Sequence, residues 1–255
     1  MSVRGAVGEA LRGSVSTYHG FREKTAGPML RREGPGRDVV VIISFGEEWS
    51  IEGERLESFA AGLRDRQVAT RHEGRSYGIH VDISPPAAHR LFGLPLHELA
   101  ERQVPLEEVL DEPFLADRLH DAGSWDERFR LLDDVLAKQL ADTAPASREI
   151  VWAWSRLIET GGAVRVGDLA RELGWSRKRI VARFREEVGL SPKRAARLLR
   201  FELVRSLAHS AVRPDWARIA LEAGYYDQSH MINDFRSFTG RTPETFFQDS
   251  GSPAA

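Results

Sequence analysis

Leu169-Ala170…Gly174…Ser176…Ile180…Phe184…Gly189-Leu190-Ser191-Pro192 recurs further along the chain as Ile219-Ala220…Gly224…Asp227…Met231…Phe235…Gly240-Arg241-Thr242-Pro243. The offset is 50 residues through Gly224 (224 − 174) and 51 from Asp227 onward (227 − 176), as if one residue were inserted in the turn of the second copy. Each copy has the residue order of a helix-turn-helix. Two such units in tandem point to a DNA reader rather than an enzyme.

In the first copy, Val166, Leu169, Ala170 and Leu173 fall at helical spacing, and Gly174 stops the helix as a C′ glycine would. Ser176 then caps a second helix, whose inward side is Ile180, Val181, Phe184 and Val188. Arg177, Lys178, Arg179, Arg183 and Arg185 fill the rest of that helix, which ends at Gly189 and Pro192. In the second copy Trp216, Ile219, Ala220 and Ala223 form the inner side of the first helix and Gly224-Tyr225-Tyr226 the turn. Asp227 is the N-cap of the helix that follows, with Met231, Phe235 and Phe238 inward and Gln228, Ser229, His230, Ile232 and Asn233 outward. Gln, Ser and Asn suit base edges because each can donate and accept. Pro192 to His209 reads as one long helix between the units. Recognition helices on one face of DNA lie roughly 34 Å apart, a span that a rigid helix rising about 1.5 Å per residue can set. Ile180, Phe184, Leu199, Leu207, Ile219, Met231 and Phe235 are the expected core.

The tract Val166 to Phe247 resembles the AraC/XylS type of bacterial transcription regulator. Its marks are Gly174-x-Ser176, Gly189-Leu190-Ser191-Pro192, Arg200, Ile219-Ala220-x-x-x-Gly224-Tyr225, Phe235-Arg236 and Gly240-x-Thr242-Pro243. The resemblance implies a seven-helix domain, with Arg148 to Thr160 as its first helix and Thr242 to Gln248 as its last. It also implies DNA contacts from Arg177, Lys178, Val181 and Ala182 in the first unit and from Gln228, Ser229, His230, Ile232 and Asn233 in the second. Ala182 departs from the family pattern, where many members carry arginine; Arg183 follows it and joins the expected contact set. Double-stranded DNA is the implied partner. RNA polymerase, a small-molecule effector and a second copy of the chain in a homodimer are further partners of such regulators.

Charge separates two parts of the chain. Residues 145–248 hold 18 Lys and Arg against 12 Asp and Glu, a balance of +6, which leaves −8 on the remainder of a chain whose net charge is −2. The excess falls mostly on Arg177 to Arg205, where a phosphate backbone would meet it. An arginine-rich helix face can also be merely solvated; the repeat and its caps favour the DNA reading.

A chain of 255 residues is long for one core, and division into two parts matches ordinary domain sizes. The expected organisation is a sensory or dimerisation domain at 1–141, a linker at 142–147, a DNA-binding domain at 148–248 and a disordered tail at 249–255. So short a linker would couple the two domains mechanically. With no cysteine there is no disulfide, thiolate metal site or cysteine nucleophile, which excludes the alkyl-transfer repair proteins that share this type of DNA-binding domain. No apolar run is long enough for a membrane span and no hydrophobic signal core is present, so a cytoplasmic protein without a membrane partner is expected.

The N-terminal part has a different texture. Val39 to Phe45 is a β-branched run apolar enough for burial on both faces, and Gln67 to Arg71 and Tyr77 to Ile83 also read as strands. Helical patterns follow from His89, the longest at Trp125 to Leu140 with Phe129, Leu132, Val135, Leu136 and Leu140 in one stripe. The expected fold is thus α+β, a small sheet or partial barrel plus helices, joined to an all-α domain with two tandem helix-turn-helix units and a long connecting helix. Gly34-Pro35-Gly36 and Ser84-Pro85-Pro86…Leu91-Phe92-Gly93 resemble the N-terminal domain of many actinobacterial members, whose effectors are mostly unassigned.

Tyr18, Trp49, Arg71, His72, Tyr77 and His80 are the candidate effector residues, although each reads more readily as a packed aromatic or surface polar group. His72, His80, His89 and His97 cluster in sequence without the His-x-His pair of barrel-type metal sites, and His97-Glu98-Leu99-Ala100-Glu101 lacks the second histidine of the zinc-protease motif. No metal or cofactor is expected. Nucleophile-elbow, phosphate-loop and dinucleotide-binding motifs are absent, and the adjacent acids Glu47-Glu48, Glu107-Glu108 and Asp133-Asp134 diverge in direction on any regular element. A non-enzymatic regulator is the main reading. Its alternative is a ligand-binding or scaffolding protein whose helix-turn-helix units mediate protein contacts.

Overall fold

The computed structural model describes residues 1–211 and 213–250, with side chains described through Gln248. Among these residues the N-terminal part holds ten strands: β1 Ser2–Gly5, β2 Val15–Lys24, β3 Met29–Glu33, β4 Val39–Ser44, β5 Trp49–Ile51, β6 Glu54–Leu56, β7 Phe59–Ala61, β8 Val68–His72, β9 Arg75–Ile83 and β10 Gln103–Pro105. They form a six-stranded sheet of order β1-β2-β9-β4-β7-β10 and a four-stranded sheet of order β3-β8-β5-β6. Three helices accompany them, α1 Pro85–Phe92, α2 Leu115–Asp121 and α3 Trp125–Asp142.

The larger sheet is covered on both faces, and its pleat decides which residue meets which layer. Val41 and Ile43 of β4 and Ile79, Val81 and Ile83 of β9 join Phe129, Leu132 and Leu136 of α3 in the main core. The alternate residue Ile42 packs instead with Trp49, Ile51, Phe59 and Val68 between the two sheets. β2 shows the same division, and a Cβ at Gly20 would overlap the Trp125 ring, so the helix sits directly on this strand.

The helical part comprises α4 Arg148–Glu159, α5 Val166–Glu172, α6 Arg177–Val188, α7 Pro192–His209, α8 Trp216–Glu222, α9 Gln228–Thr239 and α10 Pro243–Ser250. Helix α10 takes in the first two residues of the expected tail, 249 and 250, and 251–255 lie outside the described residues. Ile180, Phe184, Leu199, Ile219, Met231 and Phe235 are buried. Leu207 departs from expectation: it is half-buried, on the flank of α7. Phe201 takes the central place, its ring 4.9 Å from that of Phe235 and 4.8 Å from that of Phe238.

The connection between the two parts is held at several points. Arg90 of α1 donates through Nε to the Ala144 carbonyl at 2.9 Å, and the backbone N–H of Ser147 donates to buried Glu187 of α6 at 3.1 Å. Leu63, in the loop after β7, is buried among residues of the helical core rather than those of the sheets.

Candidate nucleic-acid interface

Each unit is a short helix, a glycine turn and a capped longer helix. Gly174 (φ 64°) and Gly224 (φ 75°) both adopt the left-handed conformation that ends the first helix, a geometry costly for residues with a Cβ. Ser176 Oγ accepts the Arg179 N–H at 3.2 Å and Asp227 Oδ1 accepts the His230 N–H at 2.7 Å, so each second helix starts on a side-chain cap.

Arg177, Lys178, Ala182 and Arg183 are exposed on α6, and Gln228, Ser229, His230 and Asn233 on α9. Val181 and Ile232 are half-buried and pack on the helical core, which leaves only part of each side chain for an outside partner. Arg183 is engaged internally, with Glu186 and with buried Glu187, both at 2.8 Å. Burial pushes the Glu187 carboxyl up, against the smaller pulls of the Ser147 N–H and the Arg183 charge. Arg179, in the opening turn of α6, has its guanidinium 4.3 Å from the Trp175 ring centroid.

Between the units, Arg197 and Arg200 of α7 converge on Asp234 of α9 at 2.9 and 3.9 Å. Arg200 also donates to the Gly162 carbonyl at 3.0 Å and lies over the Tyr225 ring, 5.2 Å from its centroid. Burial, then the Asp234 charge, pushes the Tyr225 hydroxyl above its ordinary range. This cluster braces the second unit on the connecting helix.

The six candidate effector residues do not come together. Tyr18 is buried, stacked on Phe129 at 5.8 Å and donating to Asp133 at 2.9 Å, and Tyr77 packs edge-on to Phe45 and Trp125; both belong to the α3 side of the sheet. Arg71 is exposed beside Glu73. Trp49 and His72 lie between the sheets with ring centroids 5.3 Å apart, and His80 meets Asp82 at 2.7 Å on the same face of β9. Trp49 Nε1, Thr70 Oγ1 and Ser76 Oγ are buried here without a hydrogen-bond partner among the described residues, while His72 Nε2 faces the Glu23 carboxylate at 3.5 Å. A separate cleft of about 280 Å³ is lined by Gly8 to Leu11 and by Arg130, Asp133, Asp134 and Ala137, none of them a residue singled out for an effector. Among the described residues no three His, Asp or Glu gather as metal ligands, and no helix is long and apolar enough to cross a membrane.

A family model described as "Helix-turn-helix domain" matches residues 169–249. The C-terminal domain is a helix-turn-helix domain of the AraC/XylS type. The match begins inside α5 and runs through both turns, the connecting helix and α10, so it spans the structural repeat and supports a DNA-binding transcription regulator. Among solved structures, ToxT from Vibrio cholerae is similar at 12% identity over 92% of this chain and 98% of that one, with a TM-score of 0.49. The C-terminal domain of AraT, a response regulator from Geobacillus stearothermophilus, is 20% identical over 40% of this chain and 86% of that one, with a TM-score of 0.38. The AraC-like transcriptional activator CuxR is 16% identical over 88% and 99%, with a TM-score of 0.31. No curated protein is significantly similar to the chain in sequence.

Proposed function

We propose that this regulator reads two adjacent major-groove segments of one DNA site, one with α6 and one with α9, and that its N-terminal domain modulates the reading in response to a small-molecule effector or a partner. The observation that carries the first half is the pairing of two units of the same plan whose outward side chains differ. Arg177 and Lys178 on α6 supply charge for backbone and guanine; Gln228, Ser229 and Asn233 on α9 supply neutral groups that both donate and accept. Since α7 and the Asp234 cluster hold the units in one arrangement, a single chain can read an asymmetric site without a palindrome. The second half is supported by Trp49 Nε1, Thr70 Oγ1 and Ser76 Oγ, which are buried between the sheets without a hydrogen-bond partner among the described residues, because buried polar groups ordinarily find partners.

Genome-wide recovery of the DNA bound by the chain tests the reading. A discrete asymmetric bipartite motif is the expected outcome, and the neighbouring genes would indicate the effector. Failure to enrich any discrete site would shift the reading to a scaffold whose helix-turn-helix units contact proteins.

A further inference from the structure

The two turns close in the same way, yet one is longer. The residue after each glycine returns its N–H to a carbonyl five residues back, Trp175 to Ala170 at 2.8 Å and Tyr225 to Ala220 at 2.9 Å. Trp175 is followed at once by the N-cap Ser176, whereas Tyr225 is followed by Tyr226 and only then by the N-cap Asp227. Tyr226 is therefore the inserted residue, and closure of the turn does not use it. Tyr225 is buried against Arg200, while Tyr226 is 88% exposed.

Charge gives that exposed phenol a task. A protein fixes its register on DNA through phosphate contacts before base edges can be read. The first unit has Arg177, Lys178 and Arg179 in the opening turn of α6 for this purpose. The corresponding turns of α9 carry Gln228, Ser229, His230, Ile232 and Asn233, with no lysine or arginine before Arg236 in the last turn. On the neighbouring helix α8, Arg218 is held by Glu222 at 2.8 Å. The opening turns of α9 thus offer the backbone neutral donors alone, and Tyr226 stands one residue before the N-cap and two before Gln228.

We propose that Tyr226 anchors the second unit to the DNA backbone, its hydroxyl donating to a phosphate oxygen next to the groove segment that Gln228 and Ser229 face. The inference rests on the reading of the chain as a two-segment DNA reader. A neutral hydroxyl displaces no counterion from the phosphate, so this contact adds affinity without steepening the salt dependence, unlike an arginine contact.

The test uses the full chain, a fluorescent duplex carrying the site recovered by in vitro selection with that chain, and a random duplex of equal length, titrated at several salt concentrations. Tyr226→Phe should weaken binding about tenfold on both duplexes with the salt slope of the parent chain, whereas Arg177→Ala should lower the slope by about 1. Tyr226→Ala should lose no more than Tyr226→Phe, since the hydroxyl carries the contact. Parent-like binding by Tyr226→Phe, or a loss appearing only in Tyr226→Ala, overturns the inference while leaving the two-segment reading intact. A parent chain that binds no selected duplex more tightly than random DNA overturns both. Unchanged melting temperatures of the variants would show that the exposed side chain has been removed without disturbing the fold.

Discussion

The backbone N–H of Gln67 donates to the carbonyl oxygen of Phe238 across 3.0 Å, so a loop of the N-terminal domain satisfies a carbonyl in the last turn of α9. Such carbonyls have no partner within their own helix and must find one elsewhere. The same loop places Asp65 Oδ2 2.8 Å from Arg194 Nε at the start of α7, and Glu101 also meets Arg194. Burial pushes Asp65 up, but the hydrogen bond and charge of Arg194 outweigh it and hold the carboxyl low. Further along, the carbonyl of Leu96 lies 3.0 Å from where a Cβ would stand on Gly189, just after α6. One surface of the N-terminal domain therefore reaches the first unit, the connecting helix and the second unit.

Leu63 anchors that surface, buried to 2% exposure in the helical core. Leu63→Ala should cost about 2–5 kcal/mol, the range for removing a leucine from a close-packed interior. Urea denaturation followed by tryptophan fluorescence would measure it. A loss under about 1 kcal/mol would mean that the loop relaxes into the space and that the contact does not hold the two parts together.

Phe235→Ala should cost about 3–5 kcal/mol, because the ring is 1% exposed and meets Phe201, Phe246 and Phe247. The same denaturation experiment reads it. A mild effect would contradict the placement of Phe235 at the centre of the second unit.

Asp234→Ala would leave Arg197 and Arg200 without their shared carboxylate. The expected loss is roughly 2–4 kcal/mol, below the full cost of breaking a buried pair because Arg197 is 30% exposed and water can serve it. Since the cluster braces the second unit, the variant should also weaken binding to the selected site more than to random DNA. A stability loss with unchanged site preference would show that the brace supports folding alone.

The helix-turn-helix units were legible because their signals are local: a glycine that must be left-handed, a capping side chain three residues before the N–H it accepts from, and apolar residues at helical spacing. Residues 176–188 contain all that defines α6. The sheets were legible only at β4, β8 and β9, and these within two residues at either end. β2 was missed because it is covered on both faces yet carries Thr17, His19, Arg22 and Glu23, which conceal the alternation, and its partner β9 lies far along the chain. β1, β3, β6 and β10 are short or polar edges, and β5 and β7 are interior strands of three residues each, so all six depend on pairing with other strands. The effector candidates scattered for the same reason. Tyr77 and His80 lie close in sequence but on opposite faces of β9, and only strand register reveals which layer each one meets.

Glu202 should make the contact between the parts sensitive to pH. Its carboxylate accepts the Arg37 N–H at 2.9 Å, and burial raises its pKa above the ordinary 4.5, against the smaller opposing effects of that hydrogen bond and of the Arg37 charge. A carboxyl raised by folding favours the folded state fully only below 4.5, and the contribution is lost as pH rises through the raised value. Glu202→Gln keeps an acceptor for Arg37 and removes the charge. It should therefore raise Tm relative to the parent chain at about pH 8, with the gain shrinking as pH falls toward about 4.5. A Tm difference that does not vary with pH would show that ionisation of Glu202 is not what the contact responds to.

The contrast between the two recognition helices gives the sharpest prediction for DNA binding. Gln228 and Asn233 are exposed, neutral and able to donate and accept, so their replacement by Ala should cost about 1–3 kcal/mol on the selected site and little on random DNA. Arg177 and Lys178 are exposed cations at the start of α6, and replacing either should weaken binding to both duplexes and lower the salt slope by about 1 for each phosphate that the side chain neutralises. Arg183 should behave differently from both, because its guanidinium is already held by Glu186 and Glu187. Arg183→Ala would release buried Glu187 from its partner, so it should lower Tm and leave the salt slope close to that of the parent chain. Anisotropy titrations at several salt concentrations separate these cases. Equal losses on selected and random DNA for Gln228→Ala and Asn233→Ala would remove the base-reading role from α9, and a salt slope lowered by about 1 in Arg183→Ala would show that this arginine leaves its glutamates to meet phosphate.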